Sequence, residues 1–202
     1  MSPIRKIVIF GATGNTGLAT VAKAIEKGLE VTAFVRDPSK LSGDLKVSQV
    51  ISGDVTNPSD VDKAIAGQDG VVIVLGTRND LGPSTIMSDG TKNIIDSMKN
   101  HGVNRVSACL SSFLYWEPEK IPPTMRNVHG DHLKMLDYLK NSGLDWVVLC
   151  PPHIDNNPSD KQYVLKKEER VGAVISKFDL GDALVSVLLT NDWLNTKVGI
   201  GY

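Results

Sequence analysis

The sequence predicts an α/β protein whose core is a doubly wound, mostly parallel sheet with helices on both faces. Apolar runs rich in valine and isoleucine alternate with longer amphipathic stretches, which is the pattern of buried parallel strands joined by crossover helices. The first apolar run enters a glycine-rich turn that opens a helical stretch. Because the chain has 202 residues, a length typical of one domain, we predict a single domain over residues 1–202.

Six strands and five helices are predicted in alternation. The predicted strands cover residues 6–10, 30–35, 47–52, 70–75, 105–110 and 145–150, and the predicted helices cover 16–27, 58–66, 84–101, 130–142 and 177–189. Gly28, Gly102 and Gly143 follow three of these helices, where a residue in the left-handed conformation commonly ends a helix. Residues 151–171 are polar and follow the sixth strand, so we expect a substrate loop or a small subdomain there.

Composition and charge argue against several functional classes. The formal net charge is −1 and the basic residues are dispersed, so we expect neither a nucleic-acid nor a membrane partner. The longest apolar stretch, residues 71–75, is far shorter than the roughly 20 residues of a membrane-spanning helix, and the N-terminus lacks a signal-peptide pattern, so we expect a cytoplasmic protein. Cys109 and Cys150 are interpreted as reduced, partly buried thiols, and the scattered histidines predict no metal site.

The strongest motif is the run Gly11-Ala-Thr-Gly14-Asn-Thr-Gly17 between the first strand and the first helix. Gly11 permits a tight turn, Gly14 lets the backbone approach a pyrophosphate, and Gly17 allows the helix to pack closely on the strand. Backbone amides at the helix N-terminus and the helix dipole then favour phosphate. The spacing GxxGxxG differs from GxGxxG, but its position predicts dinucleotide binding by a Rossmann-like sheet.

The end of the second strand bears on the choice of cofactor. Arg36 follows this strand, and an arginine there accommodates the 2′-phosphate of NADPH, whereas an acidic residue binds the ribose hydroxyl of NADH. Lys40 could add a second positive charge. We predict NADPH, with Asp37 as the ribose acceptor if the strand ended one residue later.

Two further strand ends carry candidate cofactor contacts. Asp54 and Val55 follow the third strand and could hold the adenine edge; the alternative role for Asp54, capping the next helix, suits Asn57 or Thr56 better. After the fourth strand, Gly76 would allow close approach of the cofactor. Arg78 could contact a phosphate or an anionic substrate, or it could be a solvated surface arginine.

Several separated motifs together resemble the biliverdin IX beta reductase family, also called NADPH-dependent flavin reductases, among the atypical short-chain dehydrogenase/reductase proteins. The motifs are the glycine loop, Arg36, Gly53-Asp54-Val55, Leu75-Gly-Thr-Arg-Asn-Asp-Leu81, Ala108-Cys109-Leu-Ser111 and Pro151-Pro-His153-Ile154. The resemblance spans nearly the whole chain. It implies a monomeric enzyme that uses NADPH to reduce flavins (FMN, FAD, riboflavin) and linear tetrapyrroles, including biliverdin IX beta to bilirubin IX beta.

The resemblance also implies site residues by position. The implied cofactor residues are Gly11, Thr13, Gly14, Asn15, Thr16, Gly17, Arg36, Asp54, Val55, Leu75, Gly76, Arg78, Cys109, Leu110, Ser111, His153 and Ile154. Ser111 and His153 follow the fifth and sixth strands and are the candidate catalytic residues. The family usually carries arginines where Thr124 and Ala173 stand here, and Arg126 and Arg170 could substitute for them.

The usual Tyr-x-x-x-Lys pair of this fold is missing from the expected position after Ser111. Tyr163 and Lys167 have the spacing but follow the sixth strand, and we interpret the match as coincidence. This favours hydride transfer to a conjugated acceptor over alcohol oxidation. His153 could donate a proton or be structural. The rings at 113, 115 and 116 could wall an aromatic acceptor or simply pack.

Two alternatives remain at the level of sequence. A redox-sensing regulator could bind NADP(H) on the same fold without turnover. An NADPH-dependent epimerase or ketone reductase would need a proton donor, and His153 is the residue available for that role.

Overall fold

The computed structural model describes residues 3–77 and 80–202. Its strands are β1 Lys6–Phe10, β2 Glu30–Val35, β3 Gln49–Ser52, β4 Gly70–Ile73, β5 Arg105–Cys109, β6 Asp145–Cys150, β7 His153–Asp155, β8 Val164–Lys167, β9 Val174–Ser176 and β10 Thr196–Gly201. Its α-helices are α1 Asn15–Glu26, α2 Pro58–Ile65, α3 Ile86–His101, α4 Arg126–Lys140 and α5 Lys177–Leu189.

Within the described residues, eight strands form one sheet in the order β3-β2-β1-β4-β5-β6-β10-β8. Neighbouring strands run parallel except that β8 is antiparallel to β10. After β1 the chain moves outward to β2 and β3, and from β4 onward it moves in the opposite direction. A crevice therefore opens beyond the carboxyl ends of β1 and β4, where ligands of such sheets bind.

Two apolar cores lie on opposite faces of this sheet. The helices α2, α3 and α4 pack on one face, and α1 and α5 pack against each other on the other. The strands β1, β4, β5 and β6 are buried on both faces, which explains why they are continuous apolar runs in the sequence. The predicted doubly wound α/β fold is confirmed.

The helix ends follow local signals. Gly28, Gly102 and Gly143 have φ values of +78°, +67° and +77°, as their positions predicted. The side chains of Asn57 and Ser176 cap α2 and α5 by accepting a hydrogen bond from a first-turn amide.

Some predicted boundaries were wrong. β3 begins at Gln49, β4 ends at Ile73, β5 ends at Cys109 and α3 begins at Ile86. The larger error is α4, which begins at Arg126 instead of residue 130, after a 3₁₀ turn over Pro123–Met125. Asn, His and Gly in its first turns have low helix propensity, but Val128 packs on the apolar core and packing overrides propensity.

The carboxyl-terminal segment, residues 151–202, contains four strands that the sequence did not predict. β7 and β9 pair in a small parallel sheet, and β10 and β8 extend the main sheet. β10 was missed because glycine is unusual inside a strand. Both glycines are needed there. A Cβ on Gly199 would lie 1.9 Å from the Glu169 carbonyl oxygen, and a Cβ on Gly201 would lie 2.5 Å from the Val171 carbonyl oxygen.

No helix among residues 3–77 and 80–202 is long and apolar enough to cross a membrane.

Candidate functional site

The glycine loop is shaped by contacts that exclude side chains. Gly11 has φ +86°, and a Cβ there would lie 2.2 Å from the carbonyl oxygen of Val74, the residue after β4. A Cβ on Gly17 would lie 2.1 Å from the carbonyl oxygen of Gly11. The amide of Gly14 closes the turn by donating to that same oxygen at 2.9 Å. The loop therefore presses α1 directly against the β1 and β4 edge of the crevice.

The N-terminus of α1 suits an anion. Gly14 is its capping residue and has no side chain to cap the first amides, and the first turn contains no acidic residue. By contrast, Asn57 caps α2, which also has Asp60 in its first turn. Backbone amides at a glycine cap combined with the positive end of the helix dipole fit a pyrophosphate. Thr16 is buried, while Asn15 is exposed at the start of the helix.

At the end of β2, Arg36 and Asp37 have different roles. Arg36 is exposed and is the first residue beyond the strand, as predicted. The Asp37 carboxylate caps a 3₁₀ turn by accepting hydrogen bonds from the amide and hydroxyl of Ser39 at 3.0 and 2.7 Å, and these bonds lower its pKa. Lys40 lies 3.7 Å from the same carboxylate. Asp37 is thus engaged locally, while Arg36 projects as a cation.

The β3 end holds Asp54 and Val55 beside this cation. The Asp54 carboxylate accepts from the hydroxyl and amide of Thr56, which lowers its pKa, and Arg36 adds a smaller lowering effect. Val55 is buried against Gly90 of α3, where a Cβ would come within 2.7 Å of its methyl groups. The backbone at the predicted adenine position is therefore anchored, and Asp54 is exposed on it.

The β4 end carries Leu75, which is half-buried, and Gly76, which is exposed. A Cβ on Gly76 would meet no protein atom within 4 Å, so no protein contact requires glycine there. Arg78 lies outside the described residues.

A buried carboxylate joins α3 and α4. Asp131 of α4 accepts hydrogen bonds from the Ser88 amide and hydroxyl in the first turn of α3.

The β5 and β6 ends are tied together at the same edge of the sheet. The Ser112 amide donates to the Pro151 carbonyl at 2.8 Å, which brings the Ser111 and His153 segments side by side. Ser111 is half-buried, and its hydroxyl accepts from the Phe113 amide at 3.2 Å as the cap of a 3₁₀ turn. His153 is exposed at the start of β7, and Ile154 packs on the core beside α5.

Cys109 and Leu110 lie beneath Ser111 and are buried. Burial raises the pKa of the Cys109 thiol to about 12, and burial likewise raises that of Cys150 to about 12. Both thiols are therefore protonated near neutral pH and act as apolar packing groups, as the sequence indicated.

Aromatic rings continue this edge beyond Ser111. Phe113 and Trp116 meet edge to face with centroids 5.1 Å apart. The Lys197 ammonium lies 4.6 Å from the Tyr115 ring centroid, and the Arg170 guanidinium lies 5.7 Å from that of Trp116. Tyr115 packs against the apolar core with its hydroxyl buried, so we call Phe113 and Trp116 the aromatic wall. Of the two arginines considered for anion binding, Arg170 contacts this wall; Arg126 is exposed at the start of α4.

Tyr163 and Lys167 make separate contacts. The Tyr163 hydroxyl donates to the Asp182 carboxylate at 2.8 Å, and Lys167 lies over the Trp193 ring at 5.7 Å. Burial and the bond to Asp182 raise the pKa of Tyr163. A tyrosine that moves protons near neutral pH needs the opposite shift, so these contacts favour a structural role for Tyr163.

A sequence profile described as NAD(P)H-binding matches residues 11–191, from the glycine loop to just beyond the end of α5. The chain belongs to this NAD(P)H-binding family.

Curated relatives of this NAD(P)H-binding protein differ in how much they share. An uncharacterized chloroplastic protein of Arabidopsis thaliana is 26% identical over 205 residues, which cover 93% of this chain and 73% of the relative. A 3-beta-hydroxysteroid dehydrogenase of Mycolicibacterium neoaurum is 31% identical over 111 residues, which cover 50% of this chain and 30% of the relative.

Solved structures share the fold over nearly the whole chain. A Bacillus halodurans protein provisionally described as an NAD-dependent epimerase/dehydratase has a TM-score of 0.85 at 20% identity, covering 97% of this chain and 93% of its own. A Veillonella parvula short-chain dehydrogenase/reductase solved with NADP has a TM-score of 0.77 at 18% identity, covering 98% of this chain and 95% of its own. A Streptococcus pneumoniae protein provisionally described as an NADH-flavin reductase has a TM-score of 0.77 at 18% identity, covering 97% of this chain and 98% of its own.

One polar cluster of this NAD(P)H-binding protein was missed at the level of sequence. The Asn15 amide group donates to Asn156, which follows β7, and accepts from the Lys177 ammonium at 3.0 Å. Lys177 is the first residue of α5, where the helix dipole disfavours a cation. The carboxyl-terminal segment therefore reaches across to the glycine loop. No local pattern signals this contact, because its partners lie more than 140 residues apart.

Proposed function

We propose that this chain is an NADPH-dependent reductase that transfers hydride to planar conjugated acceptors such as flavins and linear tetrapyrroles. The observation that carries the proposal is the aromatic wall next to Ser111 at the carboxyl edge of the sheet, combined with the structural use of Tyr163. A flat acceptor can stack against such rings. Reduction of a delocalised system needs little proton transfer from the protein, whereas carbonyl reduction needs a matched acid.

The preference for NADPH is supported by the β2 end. Asp37 is occupied as a cap, so its carboxylate is poorly placed to bind a ribose hydroxyl. Arg36 is exposed at the predicted position and its planar guanidinium matches a phosphate bidentately.

Residues of the glycine loop would hold the pyrophosphate. The amides of the first turn of α1 would donate to it, and Lys177 beside Asn15 would add a positive charge. Asp54 and Val55 would border the adenine. Because Gly76 is exposed and leaves open space where a side chain would project, its backbone can come close to the nicotinamide half.

When bound, NADPH supplies a hydride, that is two electrons and one proton, and is left as NADP⁺. The acceptor takes the hydride and needs one further proton from water or from His153, which is exposed and therefore exchanges with solvent. Ser111 would orient the acceptor or the carboxamide with its hydroxyl hydrogen, since its oxygen already accepts from Phe113. The protein contributes chiefly by positioning.

The test is oxidation of NADPH by the purified protein with excess FMN, and separately with biliverdin IX beta, with NADH as the paired control. We expect turnover with a clear preference for NADPH. Tight NADPH binding without oxidation by any planar acceptor would instead favour the non-catalytic NADP(H)-sensing regulator.

Ser111→Ala refines the test. We expect turnover to slow more than NADPH binding weakens, because the hydroxyl would orient the acceptor or the carboxamide. Thr190→Ala, a change at the C-terminus of α5, is the matched control that removes an exposed hydroxyl bonded to Asp192. Equal turnover of both variants and the parent protein would make Ser111 a structural cap only.

A further inference from the structure

Buried polar side-chain atoms without a hydrogen-bond partner gather in one part of the molecule. Among residues 3–77 and 80–202, these atoms are Nδ1 of His129, Nδ1 of His132, the hydroxyl oxygen of Tyr115 and Oε1 of Gln68. Gln68 precedes β4, whereas the other three residues lie between β5 and β6. The Tyr115 hydroxyl lies against the Cys150 thiol. The two imidazoles are therefore left as the unexplained groups, because an unpaired buried polar group lowers stability.

His132 is the more deeply buried of the two imidazoles. It is 7% exposed, while His129 is partly exposed. On helix α4 it lies in line with Val128, Met135 and Leu139, which pack in the apolar core. A histidine in this stripe has no apolar reason to be there, since a leucine would pack without an unpaired nitrogen.

The first turns of α4 lie at the carboxyl edge of the sheet. The helix follows β5 and precedes β6, and these two strands are parallel, so α4 runs in the opposite direction and begins at this edge. Asn127 donates to the Leu81 carbonyl at 3.0 Å. Asp131 accepts from the first turn of α3, and α4 packs on the 3₁₀ turn that Ser111 caps. His132 therefore lies among the segments that follow β4 and β5, which border the nicotinamide half of the proposed cofactor site.

The protonation state of His132 limits the kind of group it can bind. Burial lowers the pKa of His132 to about 4, although the neighbouring Asp131 carboxylate acts in the opposite direction. The ring is therefore neutral near pH 7, with one nitrogen as a donor and the other as an acceptor. A neutral imidazole suits a hydroxyl or an amide, whereas a phosphate requires a cation or several donors.

We propose that His132 is a cofactor-binding residue whose ring nitrogen hydrogen-bonds an uncharged polar group of the nicotinamide riboside half of NADPH. Such a group is a ribose hydroxyl or the carboxamide. The proposal rests on the cofactor site of the proposed function, but it does not depend on which acceptor is reduced. His132 holds the cofactor and takes no part in proton or hydride transfer.

The test compares NADPH with adenosine 2′,5′-bisphosphate, which has the adenine, ribose and 2′-phosphate of the cofactor but lacks the nicotinamide riboside. Dissociation constants are measured by titration calorimetry for the parent protein, His132→Phe, His132→Asn, His129→Phe and Met135→Leu. Met135 is fully buried on the same stripe of α4, so Met135→Leu is the control for a change in packing. His129→Phe makes the same chemical change one turn away.

We expect His132→Phe to raise the NADPH dissociation constant about tenfold, the effect of one lost hydrogen bond, and to leave that of the bisphosphate unchanged. The ligand-free variant should resist urea at least as well as the parent, because the unpaired nitrogens are gone. His132→Asn should retain part of the NADPH affinity, since its amide can still donate and accept. Met135→Leu and His129→Phe should bind both ligands as the parent does.

Three results would overturn the proposal. Unchanged NADPH affinity in His132→Phe would make His132 a core residue. An equal loss for NADPH and the bisphosphate would mean that His132 only supports the shape of the site. A selective loss of NADPH affinity in His129→Phe instead would move the contact to His129.

Nuclear magnetic resonance of the parent protein keeps the proposal testable if His132→Phe fails to fold. The ring nitrogen resonances of His132 should shift on addition of NADPH and stay in place with the bisphosphate; no shift with NADPH would contradict the contact. Binding of NADPH without turnover would overturn the reductase function alone. If the parent binds neither ligand, the cofactor site fails and this proposal fails with it.

Discussion

Two regions of the molecule contain glycines at which any Cβ would clash, but for different reasons. They are the amino-terminal β1-α1-β2 unit, residues 6–35, and the carboxyl-terminal segment, residues 151–202. Gly11 and Gly17 serve a turn that is built mostly by its own neighbours and by the adjacent strand β4. Gly199 and Gly201 are required because a segment about thirty residues earlier in the chain crosses over them. The need for glycine in the amino-terminal unit is visible in a local sequence motif, whereas the need for glycine in the carboxyl-terminal segment is not. The first unit would bind the cofactor and the second would shape the acceptor site.

The largest expected effect is that of Gly11→Ala. The residue has φ +86° and its Cβ would lie 2.2 Å from the Val74 carbonyl oxygen, so the change adds both backbone strain and a clash. We expect the free energy of unfolding in urea to fall by about 3 kcal/mol or more. Gly28→Ala is the matched control, since Gly28 has φ +78° but nothing within 4 Å of a Cβ, and its cost should be about 1 kcal/mol. Similar costs for the two would mean that the clash with β4 contributes nothing.

Gly199→Ala tests the carboxyl-terminal segment. Its Cβ would lie 1.9 Å from the Glu169 carbonyl oxygen, which must move and carry Arg170 with it. We expect a loss of about 2 to 3 kcal/mol in stability, as for overpacking, together with a higher KM for FMN and a nearly unchanged NADPH dissociation constant. Gly43→Ala, in open space, should change none of these. Weakened NADPH binding equal to the loss in acceptor binding would show that the two regions are not separable.

Arg36→Gln should sharpen the assignment of the cofactor to the amino-terminal unit. Loss of the guanidinium at the β2 end should weaken NADPH binding about a hundredfold and leave NADH binding nearly unchanged, as expected for a lost charged contact to the 2′-phosphate. Fluorescence titration with both cofactors measures this. Lys40→Gln is the comparison, and its effect should be smaller because Lys40 lies near Asp37. An equal loss for NADPH and NADH would remove the 2′-phosphate role from Arg36.

Tyr163→Phe should have the smallest effect. The lost hydroxyl donates to Asp182, which also pairs with Lys27 at 2.9 Å, so we expect a stability cost of about 1 kcal/mol. Turnover and its pH profile should be unchanged, because Tyr163 contributes to the packing of α5 and not to proton transfer. A large fall in turnover with normal stability would instead make Tyr163 catalytic and place chemistry in the carboxyl-terminal segment.

The comparison also explains which parts of the site the sequence could predict. The bounds of β1, β2, β6 and α5 match the predictions to the residue, and the glycine loop and Arg36 occupy their predicted places. The predicted roles of Ser111 and His153 stay predictions, although the structure brings their segments together. The Asn15 contact with Lys177 and the position of Arg170 on Trp116 could not be predicted, because each joins side chains from distant parts of the chain.

Local pattern alone determined the α/β fold class and the dinucleotide loop, because strand and helix periodicity and glycine turns depend on residues that are neighbours in the chain. The tertiary structure decided that β10 is a strand, that Asp37 is a cap and leaves Arg36 as the cation, and that the Tyr163 hydroxyl donates to Asp182. It also decided that Arg170 borders the aromatic wall. These outcomes depend on which distant segments pack together, and burial, close approach and pairing of charges exist only after that packing has formed.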